Sequence, residues 1–195
     1  MIKKTLNQNA KYAQEFMKTI KTDFIFSDKP INRFKVNLVE NKNTSINKNK
    51  LLNDLKTKIN SIENCNLKNN SKNLVLGEGN INADVMLIGE TPGEIEDETG
   101  LCFQGEVGNL LNKMLLAINI KRENIYTTYS INFRPPEDRK PTGQEIKRYA
   151  IFLKEHIAII DPKILILMGS TAMESITGLS KISNERGKWK EIILK

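Results

Sequence analysis

A cluster of carboxylates follows a short apolar run in the middle of the chain. The run Val85-Met86-Leu87-Ile88 leads directly into the loop Gly89-Glu90-Thr91-Pro92-Gly93-Glu94-Ile95-Glu96-Asp97. A buried strand that ends at a Pro/Gly turn and delivers several acids to one loop is typical of a reaction centre at the C-terminal edge of a sheet. Such acids can orient water or bind Mg²⁺ or Mn²⁺. The structural alternative is an ordinary strand-ending turn with solvated acids.

The acids of this loop argue against a phosphate-binding site. The first loop of a dinucleotide-binding domain reads G-x-G-x-x-G and offers bare amides to a pyrophosphate, whereas this loop carries five acids between residues 90 and 98. Clustered carboxylates repel phosphate. Gly77-Glu78-Gly79 precedes the apolar run instead of following it, so we interpret it as a turn.

The pattern around the loop predicts alternating strands and helices. Strands are expected over residues 85–88, 124–131 and 163–169, and the last is apolar throughout, as in a strand buried on both faces. This order implies an α/β fold in which helices cover a parallel sheet, with chemistry at the C-terminal ends of its strands.

Apolar spacing and capping residues locate the helices. One helix face is expected from six residues at i, i+3, i+4 and i+7 spacing: Val107, Leu110, Leu111, Met114, Leu115 and Ile118. Thr142 and Glu145 have the capping-box spacing that begins a second helix, which ends at Asp161-Pro162. A short third helix is expected over residues 170–176.

Residues 1–73 differ in composition from the rest of the chain. They are rich in Lys and Asn, and apolar-periodic stretches over residues 11–25 and 51–62 flank the polar run 40–50. We expect a helical extension with a flexible linker over residues 1–73 and a second domain over residues 74–195.

The composition of the 195-residue chain indicates a cytoplasmic protein with an anionic partner. The net charge of +7 makes a polyanion a plausible partner. No apolar run is long enough to cross a bilayer and the first residues lack the apolar core of a signal peptide, so we expect no membrane contact. Cys65 and Cys102 are too few for a disulfide framework and are expected to be free thiols.

Several short motifs follow one another from residue 77 onward: Gly77-Glu78-Gly79-Asn80; Gly89-Glu90-Thr91-Pro92-Gly93 with Glu96-Asp97; Phe103-Gln104-Gly105 with Gly108 and Leu110-Leu111; Arg134-Pro135-Pro136-Glu137-Asp138-Arg139-Lys140-Pro141; and Arg186-Gly187. From residue 62 onward the chain resembles the uracil-DNA glycosylases of family 4, including the glycosylase-like domain of some phage-type DNA polymerases. The resemblance implies a three-layer α/β/α fold with a short parallel sheet. It also implies hydrolysis of the N-glycosidic bond of uracil in single- or double-stranded DNA, as in base excision repair.

The resemblance implies roles for individual residues. Glu96 would position or activate the attacking water, and Phe103 would stack on the flipped uracil. Arg134 and Arg139 would contact DNA phosphates. Three residues would shape the base pocket with their backbone groups: Gly89, Glu90 and Gly93. Tyr129 would lie at the base-reading position of the same pocket.

Tyr129 is the first departure from the family pattern. It stands where the family carries the Asn that reads the uracil edge with a paired donor and acceptor. A phenol can stack or donate once, but it does not reproduce that amide pair. Asn132 would substitute only if the strand register shifted.

The ligands of a metal cluster are the second departure. The family binds a [4Fe-4S] cluster through four Cys, yet only Cys65 stands at a ligand position here, while Ile62 and Tyr149 occupy two others. Cys102 is not a ligand position. We therefore predict that the chain binds no iron–sulfur cluster and no other cofactor.

The last strand of the family fold is the third departure. In the family, a strand after the Arg186-Gly187 element leads to a His-Pro loop whose His stabilises the departing uracil anion. The only histidine here, His156, falls on the flank of the second predicted helix, where a structural or surface role is expected. We expect the final strand to be missing, and a second polypeptide is a candidate source of the strand and the His.

Three functions remain open at this point. The first is a uracil-DNA glycosylase, fully or partly active. The second is a degenerate family member that binds DNA without excision. The third is an α/β domain of another kind, such as a nucleotide binder or an interaction partner.

Overall fold

A mixed four-stranded sheet forms the centre of the protein in a computed structural model that describes residues 42–193, with side chains from residue 48 onward. The strands are β1 (Glu78–Gly79), β2 (Val85–Gly89), β3 (Tyr126–Tyr129) and β4 (Ile164–Leu167), in the spatial order β1-β3-β2-β4. β2 pairs in parallel with both β3 and β4, whereas β1 pairs antiparallel with β3. The prediction of an α/β fold with three parallel strands is confirmed, and those strands end at one edge.

The short strand β1 corrects the interpretation of Gly77-Glu78-Gly79 as a turn. Glu78 lies opposite Thr127, and Gly79 lies opposite Tyr126. Gly79 has a φ of +113°, and a Cβ there would lie 2.1 Å from the carbonyl oxygen of Ile125. Glycine is therefore required by a close approach to β3, a contact that the local sequence does not reveal.

Seven α-helices accompany the sheet in the described part of the chain. In order they are α1 (Lys42–Asn60), α2 (Asn66–Asn70), α3 (Glu94–Thr99), α4 (Gly105–Ala117), α5 (Gly143–Ile160), α6 (Ser170–Thr177) and α7 (Ile182–Glu185). The capping box predicted for α5 is confirmed, because Thr142 Oγ1 accepts from the Glu145 amide and the Glu145 carboxylate accepts from the Thr142 amide. None of these helices is long and apolar enough to span a bilayer.

Helix α1 takes in most of the polar run that we expected to be a flexible linker, so that expectation is wrong from residue 42 onward. Leu55 and Ile59 of α1 are buried. Lys48 adds a tertiary hydrogen bond, since its ammonium donates to the carbonyl of Ile160 (2.7 Å). These long-range contacts stabilise a helix that its polar composition alone does not favour.

The domain boundary expected near residue 73 lies inside one compact unit. Residues of α1 pack in the same core as residues of the sheet and of α5. The helix predicted over residues 11–25 lies outside the described residues.

The two faces of the sheet contact separate hydrophobic cores. Met86 and Ile88 of β2 belong to one core with residues of α1 and α5, whereas Leu87 between them belongs to the other core with residues of α4. Tyr126 and Tyr129 of β3 divide in the same way. Helices therefore cover both faces of the sheet, which confirms the predicted three-layer α/β/α arrangement.

The apolar face predicted for α4 is only partly correct. Leu111 and Leu115 are buried as predicted. The other predicted members are 58–63% exposed: Val107, Leu110, Met114 and Ile118. Gly108 decides which side faces the sheet, because a Cβ at that position would lie 1.8 Å from the carbonyl oxygen of Phe103. The close approach of helix and loop turns the Gly108 side inward.

Strand β4 is an edge strand, so the expectation that it is buried on both faces is wrong. Ile164 and Ile166 are 36% and 42% exposed, and within residues 42–193 only β2 pairs with β4. An apolar run shows that a strand can be buried, but the arrangement of neighbouring elements decides whether it is.

His156 of α5 is buried, in agreement with a structural role. Its Nε2 lies 3.0 Å from Tyr126 Oη, and the two rings meet edge to face with centroids 5.4 Å apart. Burial lowers the pKa of the imidazole from 6.5 to about 4. The folded protein therefore favours the neutral ring.

We predict that His156 makes the protein less stable in mild acid. The unfolded chain takes up a proton at this ring below pH 6.5, whereas the folded protein does so only near pH 4. A stabilising contribution of about 3 kcal/mol, present above pH 6.5, is therefore lost as the pH falls to about 4. Denaturant unfolding of the wild type and of His156→Gln across this range measures the effect. The variant should show a flatter dependence of stability on pH, and identical slopes would contradict the prediction.

Candidate functional site

Glu96, the acid expected to act on water, is buried beyond the carboxyl end of β2. It lies in the first turn of α3, and its carboxylate accepts two backbone hydrogen bonds: Gly93 N–H donates to Oε2 (3.1 Å) and Gln104 N–H donates to Oε1 (2.9 Å). A carboxylate oxygen has two lone pairs, so each oxygen keeps one for a further donor such as water. The bond from Gln104 also places the carboxylate one residue from Phe103.

Asp97, the next acid of the loop, has a structural role. It is buried, and its carboxylate accepts hydrogen bonds from the backbone N–H groups of Lys72 (3.0 Å) and Asn73 (3.2 Å). The side chain of Asn73 donates in return to the backbone carbonyl of Asp97 (2.8 Å). These bonds attach α3 to the segment that leads into the sheet.

Glu90 connects the ends of neighbouring strands. Its Oε1 accepts from the Thr171 N–H (2.8 Å) and from the Ser170 hydroxyl (3.1 Å) at the start of α6, which follows β4. Its backbone carbonyl accepts from the Ser130 hydroxyl (2.6 Å) just after β3. The acids of the loop thus bind separate backbone segments. No group of three His, Cys, Asp or Glu side chains among the described residues could hold a metal ion, so the metal alternative gains no support there.

Phe103 and Tyr129 pack against each other at the same edge of the sheet. Their ring centroids are 4.9 Å apart with planes tilted by 30°, and Phe103 N–H donates to Tyr129 Oη (3.0 Å). Burial raises the pKa of the Tyr129 phenol, and the nearby Glu96 carboxylate raises it further. The structure therefore brings together three residues that the sequence placed in separate motifs.

Gly89 and Gly93 allow close approach at the base of this site. A Cβ at Gly89 would lie 2.7 Å from the Tyr129 ring and 2.9 Å from Cζ of Phe103. A Cβ at Gly93 would lie 2.9 Å from Oε2 of Glu96. Both glycines are therefore required for space rather than for an unusual backbone conformation.

Arg122 is a site residue that the sequence analysis did not identify. Its guanidinium carbon lies 5.5 Å from the Phe103 ring centroid, within the range of a cation–π contact. Its Nη2 also donates to the carbonyl of Cys102 (3.0 Å) and to the Glu78 carboxylate (2.9 Å). No motif marks this residue, because its contacts form only when β1, β3 and the Phe103 loop come together.

Arg134 and Arg139 are both engaged in ion pairs within the chain. Arg134 contacts the Asp138 carboxylate through Nε (2.7 Å) and Nη2 (2.8 Å). Arg139 contacts the Glu145 carboxylate at 2.7 and 2.9 Å, and this pairing lowers the pKa of Glu145 to about 2. The two predicted DNA-binding residues thus flank the loop between β3 and α5, each held by a carboxylate.

Cys65 lies in an aromatic part of the core. Its Sγ is 3.2 Å from Tyr149 Oη, and the Phe133 ring meets the Tyr149 ring edge to face with centroids 6.3 Å apart. Ile62 is buried in the same core. A [4Fe-4S] cluster needs four ligands, and this place offers one thiol among apolar side chains, while Cys102 belongs to the core on the other face of the sheet. The residues present do not fit such a cluster.

Comparisons with known proteins point to one family. The model of the uracil DNA glycosylase superfamily matches residues 76–194. The Type-4 uracil-DNA glycosylase of Thermotoga maritima is 39% identical over 119 residues, which span 61% of this chain and 62% of that protein. That of Archaeoglobus fulgidus is 34% identical over 146 residues, which span 72% of this chain and 73% of that protein. A DNA polymerase of Bacillus phage SP01 is 32% identical over 117 residues, only 13% of its own length.

We predict that Gly89→Ala destabilises the protein. The added methyl group would overlap the rings of Tyr129 and Phe103, so we expect the free energy of unfolding to fall by about 1–3 kcal/mol, the usual cost of overpacking. Gly143→Ala is the matched control, since a Cβ there meets no atom within 4 Å. Denaturant unfolding followed by circular dichroism measures both variants. Wild-type stability of Gly89→Ala would show that the rings do not lie against this strand end.

Proposed function

The chain belongs to the uracil DNA glycosylase superfamily, and from this premise we propose that it removes uracil from DNA by hydrolysing the N-glycosidic bond. The observation that carries the proposal is the hydrogen bond from the Gln104 N–H to Glu96, because it holds a buried carboxylate beside the ring of Phe103. Membership in this family leaves no need for the third function considered from the sequence, an unrelated α/β domain.

The proposed reaction breaks the bond between C1′ of deoxyribose and N1 of uracil. The sugar becomes positively charged as the bond breaks, and the base leaves as an anion. Glu96 stabilises the positive charge and orients a water molecule, which uses the lone pair that each carboxylate oxygen retains. The oxygen of the water is added to C1′, and the released base takes up a proton.

Phe103 is the proposed stacking partner of the flipped base. Its position one residue before Gln104 supports this role, since a base that lies on the ring would bring its sugar close to Glu96. We propose that backbone groups of three residues shape the pocket: Gly89, Glu90 and Gly93. The Glu90 carboxylate itself contributes to the structure, because it binds the start of α6.

Arg134 and Arg139 are the proposed phosphate contacts. Each guanidinium is already oriented by a carboxylate, and the Arg134 side chain is partly exposed beside a loop that leaves β3. A DNA phosphate can bind at the remaining N–H donors of such an arginine or compete with its carboxylate partner. The cytoplasmic location expected from the composition remains a prediction.

The outer edge of β4 supports one finer proposal about the missing strand. Within residues 42–193 this edge is unpaired, and Ile164 and Ile166 are exposed beside it. Such an edge can accept a further strand through main-chain hydrogen bonds. A second polypeptide that carries the expected strand and His is one source of it.

A family member that binds DNA without excision is the alternative function. Tyr129 favours it, because the phenol stands at the position of the base-reading Asn and packs directly against Phe103. This alternative predicts salt-dependent binding that does not distinguish uracil from thymine.

We also propose that the protein folds and functions without an iron–sulfur cluster. The contacts among Cys65, Tyr149 and Phe133 support this proposal, because these side chains already fill the core between α2, β3 and α5.

Glu96→Gln should abolish uracil release. The amide cannot stabilise the developing cation as a carboxylate does, and we expect a loss of about a hundredfold or more. The measurement is alkali-induced cleavage of a uracil-containing oligonucleotide with the full chain in excess over DNA. Asp97→Asn is the matched control, because Asp97 is equally buried and bound to backbone amides but lies against Lys72 and Asn73, so it should lose stability and keep excision. Excision by Glu96→Gln at the wild-type rate would contradict the role of Glu96.

Protein purified without oxygen should be colourless and contain no stoichiometric iron or acid-labile sulfide. Reconstitution with ferrous iron and sulfide should produce no visible absorption band, because three of the four ligands are lacking. Cys65→Ser should behave in the same way and remain folded. Iron analysis and absorption spectra measure these properties, and stoichiometric iron that depends on Cys65 would contradict the proposal.

A further inference from the structure

The ring of Tyr129 occupies the space between the end of β2 and the ring of Phe103. Tyr129 is the last residue of β3 and is paired with Gly89 in the sheet, yet its side chain is only partly explained by ordinary strand packing. It crosses over Gly89, whose missing Cβ leaves room for the ring, and ends with its hydroxyl at the Phe103 amide. Only 5% of the residue is exposed, so the space is filled.

The phenol has the shape and the hydrogen bonding of a bound pyrimidine. It is a planar six-membered ring that packs on Phe103 with a centroid separation of 4.9 Å, within the range of aromatic stacking. Its exocyclic oxygen accepts the Phe103 N–H at 3.0 Å, as a carbonyl oxygen of a base would. Its nearest charged neighbour is the Glu96 carboxylate, the group beside which a nucleotide sugar would lie.

We infer that Tyr129 acts as a built-in occupant of the base pocket, so that a nucleobase enters only after this side chain has moved out. The inference rests on the proposed function for the identity of the base, since it assumes that Phe103 is the stacking platform. It deepens that function because it identifies the residue that limits access and the class of ligand that replaces it.

The replacing ligand must satisfy the groups that Tyr129 leaves behind. Once the phenol has moved, the Phe103 N–H is a buried donor without a partner, and such a donor is costly unless it is bonded again. A planar base with an exocyclic carbonyl oxygen, such as uracil, restores both the stacking contact and this hydrogen bond.

The strand itself does not oppose the movement. The backbone of β3 remains paired with β2 through the Gly89 carbonyl, which accepts from the Ser130 N–H (2.8 Å), and this bond does not involve the Tyr129 side chain. Rotation about the Tyr129 side-chain torsions therefore opens the pocket without breaking the sheet. A closed resting state lowers the apparent affinity for a base by the fraction of time that the pocket is open.

The test compares full-length wild type with three variants at this position. Tyr129→Ala and Tyr129→Asn remove the ring, whereas Tyr129→Phe keeps the ring and lacks only the hydroxyl. Binding of free uracil is measured by equilibrium dialysis and by the shift in melting temperature that uracil causes, and uracil excision is measured on single-stranded DNA. We expect Tyr129→Ala and Tyr129→Asn to bind uracil about tenfold or more tightly than wild type, whereas Tyr129→Phe should bind no better than wild type.

The two measurements separate this inference from the proposed function. Uracil binding by the Ala and Asn variants with no excision by any protein would support the filled pocket and contradict the glycosylase. Excision by wild type with equal uracil binding by all four proteins would support the glycosylase and overturn the inference. A melting temperature of Tyr129→Ala that rises with uracil also shows that this variant is folded, and a folded Ala variant that does not bind uracil overturns the inference.

Discussion

Buried backbone amides at the carboxyl edge of the sheet need acceptors, and acidic side chains provide them. Glu96 accepts from two amides of the loop around α3, Asp97 accepts from the segment before the sheet, and Glu90 accepts from the start of α6. A buried amide without a partner costs about 1–3 kcal/mol, so these bonds fix where each loop lies. The loop acids are therefore first a structural device, and the chemistry depends on the positions that they set.

This constraint explains why one acid is suited to catalysis while its neighbours are not. Asp97 and Glu90 bind segments that lead away from the aromatic pair, whereas Glu96 binds the amide next to Phe103. The loop is rich in carboxylates, but the partner of each carboxylate decides its role. Glycine at position 89 completes the arrangement, because only a residue without a side chain lets two rings lie on the strand end.

The same edge of the sheet is already satisfied without a ligand. Tyr129 covers Phe103 and accepts its amide, Arg122 lies near the same ring, and Arg134 has a carboxylate partner of its own. A nucleic acid must therefore replace contacts within the protein instead of filling an empty site. Binding then depends on the difference between two sets of similar contacts, which makes the residue at position 129 important for the outcome.

The sequence by itself determined the features that depend on local physics. The apolar run of β2, the capping box of Thr142 and Glu145, and the ordered motifs around Glu96, Phe103 and Arg134 predicted the fold class, the helix α5 and the main members of the site. Only the tertiary structure decided the strand β1, the start of α1, the buried side of α4 and the exposure of β4. Each of these depends on a contact with a residue distant in the chain, such as Gly108 with the Phe103 loop. The position of the Tyr129 ring belongs to the same group, because strand periodicity fixes the face on which a side chain lies, whereas the space that it fills is set by the residues brought there by other elements.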